Sequence, residues 1–236
     1  MSRRGIVGGV DCGSCKIRHL ALCSALNDDE IGPLEAIVRR VRLEAGQTLF
    51  HEGDPAAHVF NVTAGALKIY KLLPDGRRQV TGFLLEADFL GLANTEGYSY
   101  GAEAVTAAEL CRFPWREFNA LLDEFPKLGN RLLGIADDEL AAAQEQMLLL
   151  GRKSATERVA SFLLRLSERW KRRGSPESPV SLPMSRADIA DFLGLTTETV
   201  SRTFSRFKRE GYIATPESHQ VALLRKDALR DLAEGA

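Results

Sequence analysis

Histidine is sparse in this chain, and that narrows its chemistry at once. The four present, His19, His51, His58 and His219, are scattered singly, with no nucleophile and base set around any of them. The glycine-rich phosphate loop of nucleotide hydrolases and the glycine fingerprint of dinucleotide-binding folds are missing too. The chain is therefore expected not to be an enzyme. Long apolar runs are also lacking: stretches such as 147–150 fall far short of the ~20 residues that cross a bilayer. Residues 1–10 carry two arginines and no apolar run, so they do not read as a secretory signal. No membrane partner is expected, and a cytoplasmic location is. Cysteines there stay reduced unless they hold a metal or a cluster.

What is present reads as a globular protein. Hydrophobic residues make up 44% and charged residues 27% of 236 positions, enough for each half to bury a core. The net charge of −1 conceals an asymmetry: residues 152–226 hold 15 Lys and Arg against 8 Asp and Glu, while the rest hold 16 against 24. A basic C-terminal third on an acidic body suggests a polyanionic partner for that third, although a solvated charged surface would look the same.

The order of elements follows from turn signals and periodicity. Residues 1–24 have no periodicity and contain three of the four cysteines. Between 41 and 113, the stretches 48–51, 59–62, 66–73, 78–84 and 108–113 are β-rich or alternating. Glu52-Gly53-Asp54-Pro55, Ala64-Gly65 and Pro74-Asp75-Gly76 stand between them. Short strands at this spacing predict an antiparallel sandwich or jelly roll. A long helix is expected from Pro126, and Leu133, Ala136, Leu140, Ala143, Met147 and Leu150 step along it by three and four. That narrow seam, flanked by acids, favours a partner helix over packing on the chain's own barrel. The capping box Ser154-Ala155-Thr156-Glu157 starts a new helix. The expected organisation is α+β: a cysteine segment (1–24), a jelly-roll sensor domain (25–125), a dimerisation helix (126–151) and a winged helix-turn-helix domain (152–236).

The most specific signal lies in residues 185–211. Ser185 with Asp188 caps a short helix that Gly194 ends, and Thr196 caps the next. Ala190 is small enough for the second helix to approach, Gly194 supplies the turn, and Val200 fills the space between the helices. Ala-x3-Gly-x5-Val is the packing signature of a helix-turn-helix. Phe204 and Phe207 extend the buried face from Val200, leaving Glu198, Ser201, Arg202, Ser205 and Arg206 outside. On a recognition helix, Arg202 can donate twice to guanine and Glu198 can accept from cytosine, with Ser201 beside them. Arg186, Arg206, Lys208 and Arg209 suit phosphates. Residues 211–213 and 221–224 read as the strands of a wing.

The cysteines are Cys12-x2-Cys15-x7-Cys23 and, far away in a predicted strand, Cys111. Four thiolates meet the ligand count of a [4Fe-4S] cluster or of tetrahedral zinc, and Lys16 and Arg18 would offset their charge. His19 reads better as a surface residue than as a ligand. Spacing alone does not rank cluster, zinc and unligated thiols.

At this point the sequence resembles the CRP/FNR superfamily of bacterial regulators over nearly its whole length. Glu198, Ser201 and Arg202 match the Glu-x-x-Ser-Arg motif of the FNR branch. Thr197 and Ser201 stand where the CRP branch has Arg and Gly. The resemblance implies a homodimer on double-stranded DNA, reading a TTGAT palindrome and contacting RNA polymerase through the turn at 73–78. FNR-type oxygen sensors carry three N-terminal cysteines and a fourth in the barrel. The resemblance thus implies a [4Fe-4S] cluster on Cys12, Cys15, Cys23 and Cys111, with the x7 spacing of an alphaproteobacterial branch. A nitric-oxide or redox sensor on the same scaffold, or a zinc-stabilised DNA-binding module without sensing, are the rival readings. Cyclic nucleotide is not expected, because no Lys or Arg occurs between Arg78 and Arg112 and a phosphate buried without a cation is unfavourable.

Overall fold

The computed structural model describes residues 5–7, 10–92 and 96–235. Residues 93–95, within the stretch between Arg78 and Arg112 that lacks Lys and Arg, lie outside the described residues, as do 1–4, 8, 9 and 236. The chain divides into two compact units, Met1–Leu140 and Ala141–Ala236. The first contains β1 (Gly5–Val7), α1 (Ile31–Ile37), β2 (Arg39–Leu43), β3 (Thr48–Phe50), β4 (His58–Ala64), β5 (Leu67–Leu72), β6 (Arg78–Leu84), β7 (Phe89–Leu90), β8 (Gly101–Ala104), β9 (Ala108–Pro114) and α2 (Trp115–Glu124). Helix α3 (Pro126–Arg152) crosses from the first unit into the second.

The strands form the expected jelly roll as two antiparallel sheets, ordered β1-β2-β9-β4-β7 and β3-β8-β5-β6. Alternation assigns side chains to faces. Val41, Leu43, Phe60, Val62, Leu67 and Leu110 meet between the sheets in one core. Cys111 and Phe113, out of phase with Leu110, join a second core with Val59, Phe89, α1, α2 and the segment around Cys12. Gly65 shows why the β4–β5 turn needs glycine: its φ is +81°, and an added Cβ would stand 2.2 Å from the Ala107 carbonyl oxygen. Four strands of the first unit, β1, β2, β7 and β8, are new relative to the sequence reading. β2 carries three arginines in five residues, with Arg39 and Arg42 exposed, and β8 (Gly-Ala-Glu-Ala) has no β-branched residue. The two-residue β7 is too short to show a period.

The second unit contains α4 (Ala155–Arg172), β10 (Val180–Ser181), α5 (Arg186–Leu193), α6 (Thr197–Arg209), β11 (Ile213–Ala214), β12 (Gln220–Leu223) and α7 (Lys226–Glu234). The caps are those expected. The Ser154 side chain accepts from the Glu157 N–H, Ser185 and Asp188 form a reciprocal box, and Thr196 accepts from the Thr199 N–H at 3.2 Å. The three strands pair in the order β10-β12-β11 to form the wing. The division into units falls ten residues before the boundary expected near Gly151, because the last turns of α3 pack with the second unit: Leu149 is buried and Gln146 donates to the Phe192 carbonyl at 2.8 Å.

Candidate functional site

The second core of the first unit holds a thiol site. β9 sets Cys111 between Arg40 on β2 and Asn61 on β4, on the face opposite Leu110. The segment 11–26 covers that face. Cys12 and Cys111 are buried and Cys23 packs against the same core. None of the four cysteines is in a disulfide. Burial pushes the Cys12 thiol up to about 12, and charge on Cys23, Glu35, Cys15 and Asp11 pushes it further the same way. Burial pushes Cys111 up to about 12, reinforced by Cys12, Cys15 and Cys23 and opposed by Arg40. Cys23 rises to about 11, again through burial first and Cys15 second. Cys12, Cys23 and Cys111 thus meet at one core, and Cys15 lies near enough for its charge to act on all three. Among the described residues, no three or more His, Cys, Asp or Glu close around a single-ion position. His19 is exposed.

Several supporting contacts of this site escaped the sequence reading. Glu35 on α1 accepts from the Cys12 N–H at 2.9 Å. Arg18 bonds Asp28 at 2.5 Å and the Leu26 carbonyl at 2.9 Å, closing the loop that runs from Cys15 to Cys23. Arg131 on α3 donates to the Leu20 carbonyl at 3.0 Å, and Lys127 pairs with Glu30. No local motif marks these contacts, since they join residues as many as 111 positions apart.

In the second unit, α5 and α6 cross as the signature required. Ala190, Val200 and Phe207 are at most 2% exposed, and burying a side chain such as Val200 or Phe207 contributes about 1.5–3 kcal/mol. Gly194 is left-handed, with φ +60°. Glu198, Ser201, Arg202 and Ser205 lie together on the exposed face of α6. Hydrogen bonds to its own backbone N–H and from Thr196, with the Arg202 charge a smaller cause, hold the Glu198 carboxyl below its usual value. Lys208 and Arg209 are exposed at the C-terminal end of the helix.

Two of the four expected phosphate ligands are engaged within the chain instead. The Arg186 guanidinium lies 3.4 Å from the centroid of the Phe204 ring, and burial lowers its pKa. Arg206 donates to the Thr156 hydroxyl at 3.1 Å and stands 3.7 Å from Glu210. Arg186 thus bridges α5 and α6, and Arg206 ties α6 to α4.

Along α3, Leu133 (69% exposed), Leu140 (57%) and Met147 (64%) are uncovered, as a seam awaiting a partner would be. Ala136 and Ala143 are exposed between them. The C-terminal end differs from expectation: Leu150 is half-buried, with its Cδ2 packed at Gly194, and Leu148 is exposed instead. The β5–β6 turn exposes Leu72, Leu73 and residues 74–77. Among the described residues no helix is long and apolar enough to cross a membrane.

Residues 157–232 match the Crp-like helix-turn-helix domain, and residues 40–125 match the cyclic nucleotide-binding domain. The chain is 45% identical over 203 residues to the nitrogen fixation regulation protein FixK of Bradyrhizobium diazoefficiens, covering 86% of each. It is 38% identical over 227 residues to the transcriptional activator protein anr of Pseudomonas aeruginosa, covering 95% of this chain and 93% of that one. Among solved structures, FixK2 from Bradyrhizobium japonicum aligns with a TM-score of 0.78 at 34% identity, over 83% of this chain and 97% of that one.

Proposed function

The chain belongs to the CRP/FNR family of transcription regulators, and from that premise we propose that it is an oxygen-responsive regulator whose thiol site holds a [4Fe-4S] cluster. As a member of this family it binds DNA through its helix-turn-helix, forms a homodimer and is not an enzyme. The observation that carries the oxygen reading is the meeting of Cys12, Cys23 and Cys111, unbridged by disulfides, at one apolar core, with Cys15 on the same segment as Cys12 and Cys23. Buried thiols pushed toward 12 stay protonated at neutral pH, and a metal centre offsets that by taking them as thiolates. A cluster takes one thiolate per iron, so its ligands need not crowd around one centre. When bound, such a cluster supplies a centre that oxygen can dismantle. The chain's own part is to hold the thiols: Glu35 anchors the Cys12 backbone and Arg18 closes the loop before Cys23.

The dimer pairs through Leu133, Ala136, Leu140, Ala143 and Met147 and sets two copies of α6 against a TTGAT palindrome. Arg202, Glu198 and Ser201 read bases, while Lys208 and Arg209 meet phosphates. The exposed turn at 73–77 is the surface offered to RNA polymerase. The work is cytoplasmic. No cyclic nucleotide is held, since residues 79–111 supply no cation and both Lys68 (2.8 Å) and Arg78 (3.8 Å) pair with Glu103.

Anaerobic purification tests this reading. Four irons and four acid-labile sulfides per chain, with a visible absorption lost in air, are expected. Zinc, or no metal, in protein kept strictly anaerobic would sink it.

A further inference from the structure

Arg158 sits on the first turn of α4, where the helix dipole favours acids and where a cation needs another reason. Its guanidinium supplies one. Nε donates to the Lys153 carbonyl at 2.8 Å and Nη2 to the Leu150 carbonyl at 2.9 Å. Nη1 donates to the Leu193 carbonyl at 2.9 Å and to the Gly194 carbonyl at 3.4 Å. Two of these carbonyls lie at or just past the C-terminal end of α3, and two lie at that of α5. Such carbonyls have no partner within their own helix, and both helix ends carry partial negative charge. One planar cation therefore joins two helix ends. Gln146 adds a second link, to the Phe192 carbonyl, and Leu150 closes on Gly194, where any side chain would meet Leu150 at 3.3 Å and Arg158 at 3.4 Å.

We propose that Arg158 is a positioning residue that fixes the helix-turn-helix to the C-terminal part of the dimerisation seam within each protomer. The spacing and phase of the two recognition helices then follow the pairing of α3 near Ala143 and Met147, and the wing and α6 do not swivel about residues 151–154. This rests on the palindrome reading above and deepens it: the selectivity it explains is for the distance between half-sites, not for their bases.

The test compares palindromes at the preferred half-site spacing and with one inserted base pair, which shifts one half-site by about 3.4 Å and a tenth of a turn. The dimeric parent is expected to lose binding on the order of tenfold on insertion, the size of one lost base contact. Arg158→Lys keeps the charge but not the planar fork. It should bind a single half-site as the parent does, yet show a penalty for insertion reduced severalfold. Gln146→Ala, a milder change, should reduce the penalty in the same direction by less. A merely structural role would weaken every site equally and leave the penalty intact, and that result in both variants overturns the proposal. A parent indifferent to spacing overturns it too, while leaving DNA binding standing. A parent that binds no palindrome removes the DNA reading first and this inference with it.

Discussion

The recognition helix takes its functional face from residues 198–209, whereas the thiol site brings Cys12 beside Cys111. The first is local. Its caps, its buried stripe and its exposed stripe all follow from a period of 3.6, and its side chains must stay in water to meet a partner. The second is long-range. β9 turns Cys111 away from Leu110, and a loop held by Arg18 and Glu35 brings Cys12 and Cys23 to that face. The lesson is that an exposed site can lose one side chain and lose only that contact, while a buried, mutually coupled site loses its function as a unit.

The largest effect should come from the buried site. In the proposed cluster site, Cys111→Ala would remove the one ligand from the barrel and leave an iron open to solvent, so anaerobic protein should contain no intact cluster by iron and sulfide analysis. Four irons and four sulfides in that variant would take Cys111 out of the site and break the comparison. The recognition helix should respond more gently. Arg202→Ala is expected to weaken binding by about 1–3 kcal/mol and to relax preference at one base pair, read by titration against TTGAT and its single-base variants. A variant that discriminates all of these as the parent does would refute the docking. The smallest effect should be at Lys208, exposed at the end of α6. Lys208→Ala should weaken all sequences alike and reduce the slope of log K against log salt by about 0.9. Loss of base preference there would mean that the helix enters the groove differently.

The same contrast explains what was legible. The helix-turn-helix could be read because Ser185, Ala190, Gly194, Thr196 and Val200 each perform a short-range task that few residue types can perform. The four cysteines could be counted, but their meeting rests on strand register, and the resemblance, not the spacing, named their cofactor. Glu35 and Arg131 gave no signal, because a single charged residue on a helix looks the same whether it faces solvent or a loop. Arg186 and Arg206 were expected to meet phosphates for that reason, whereas in the fold Arg186 lies on the Phe204 ring and Arg206 donates to Thr156.

By itself the sequence determined the order of elements, the caps, the two faces of α6 and the apolar stripe along α3. Each of these depends on neighbours within a few residues, where backbone geometry leaves little choice. Only the tertiary structure decided which thiols meet, which arginines remain in water and how the end of α3 is tied to Leu193 and Gly194. Those outcomes depend on carbonyls and rings brought together by packing, and the residues that use them, Arg158 among them, are chemically ordinary until the partner arrives.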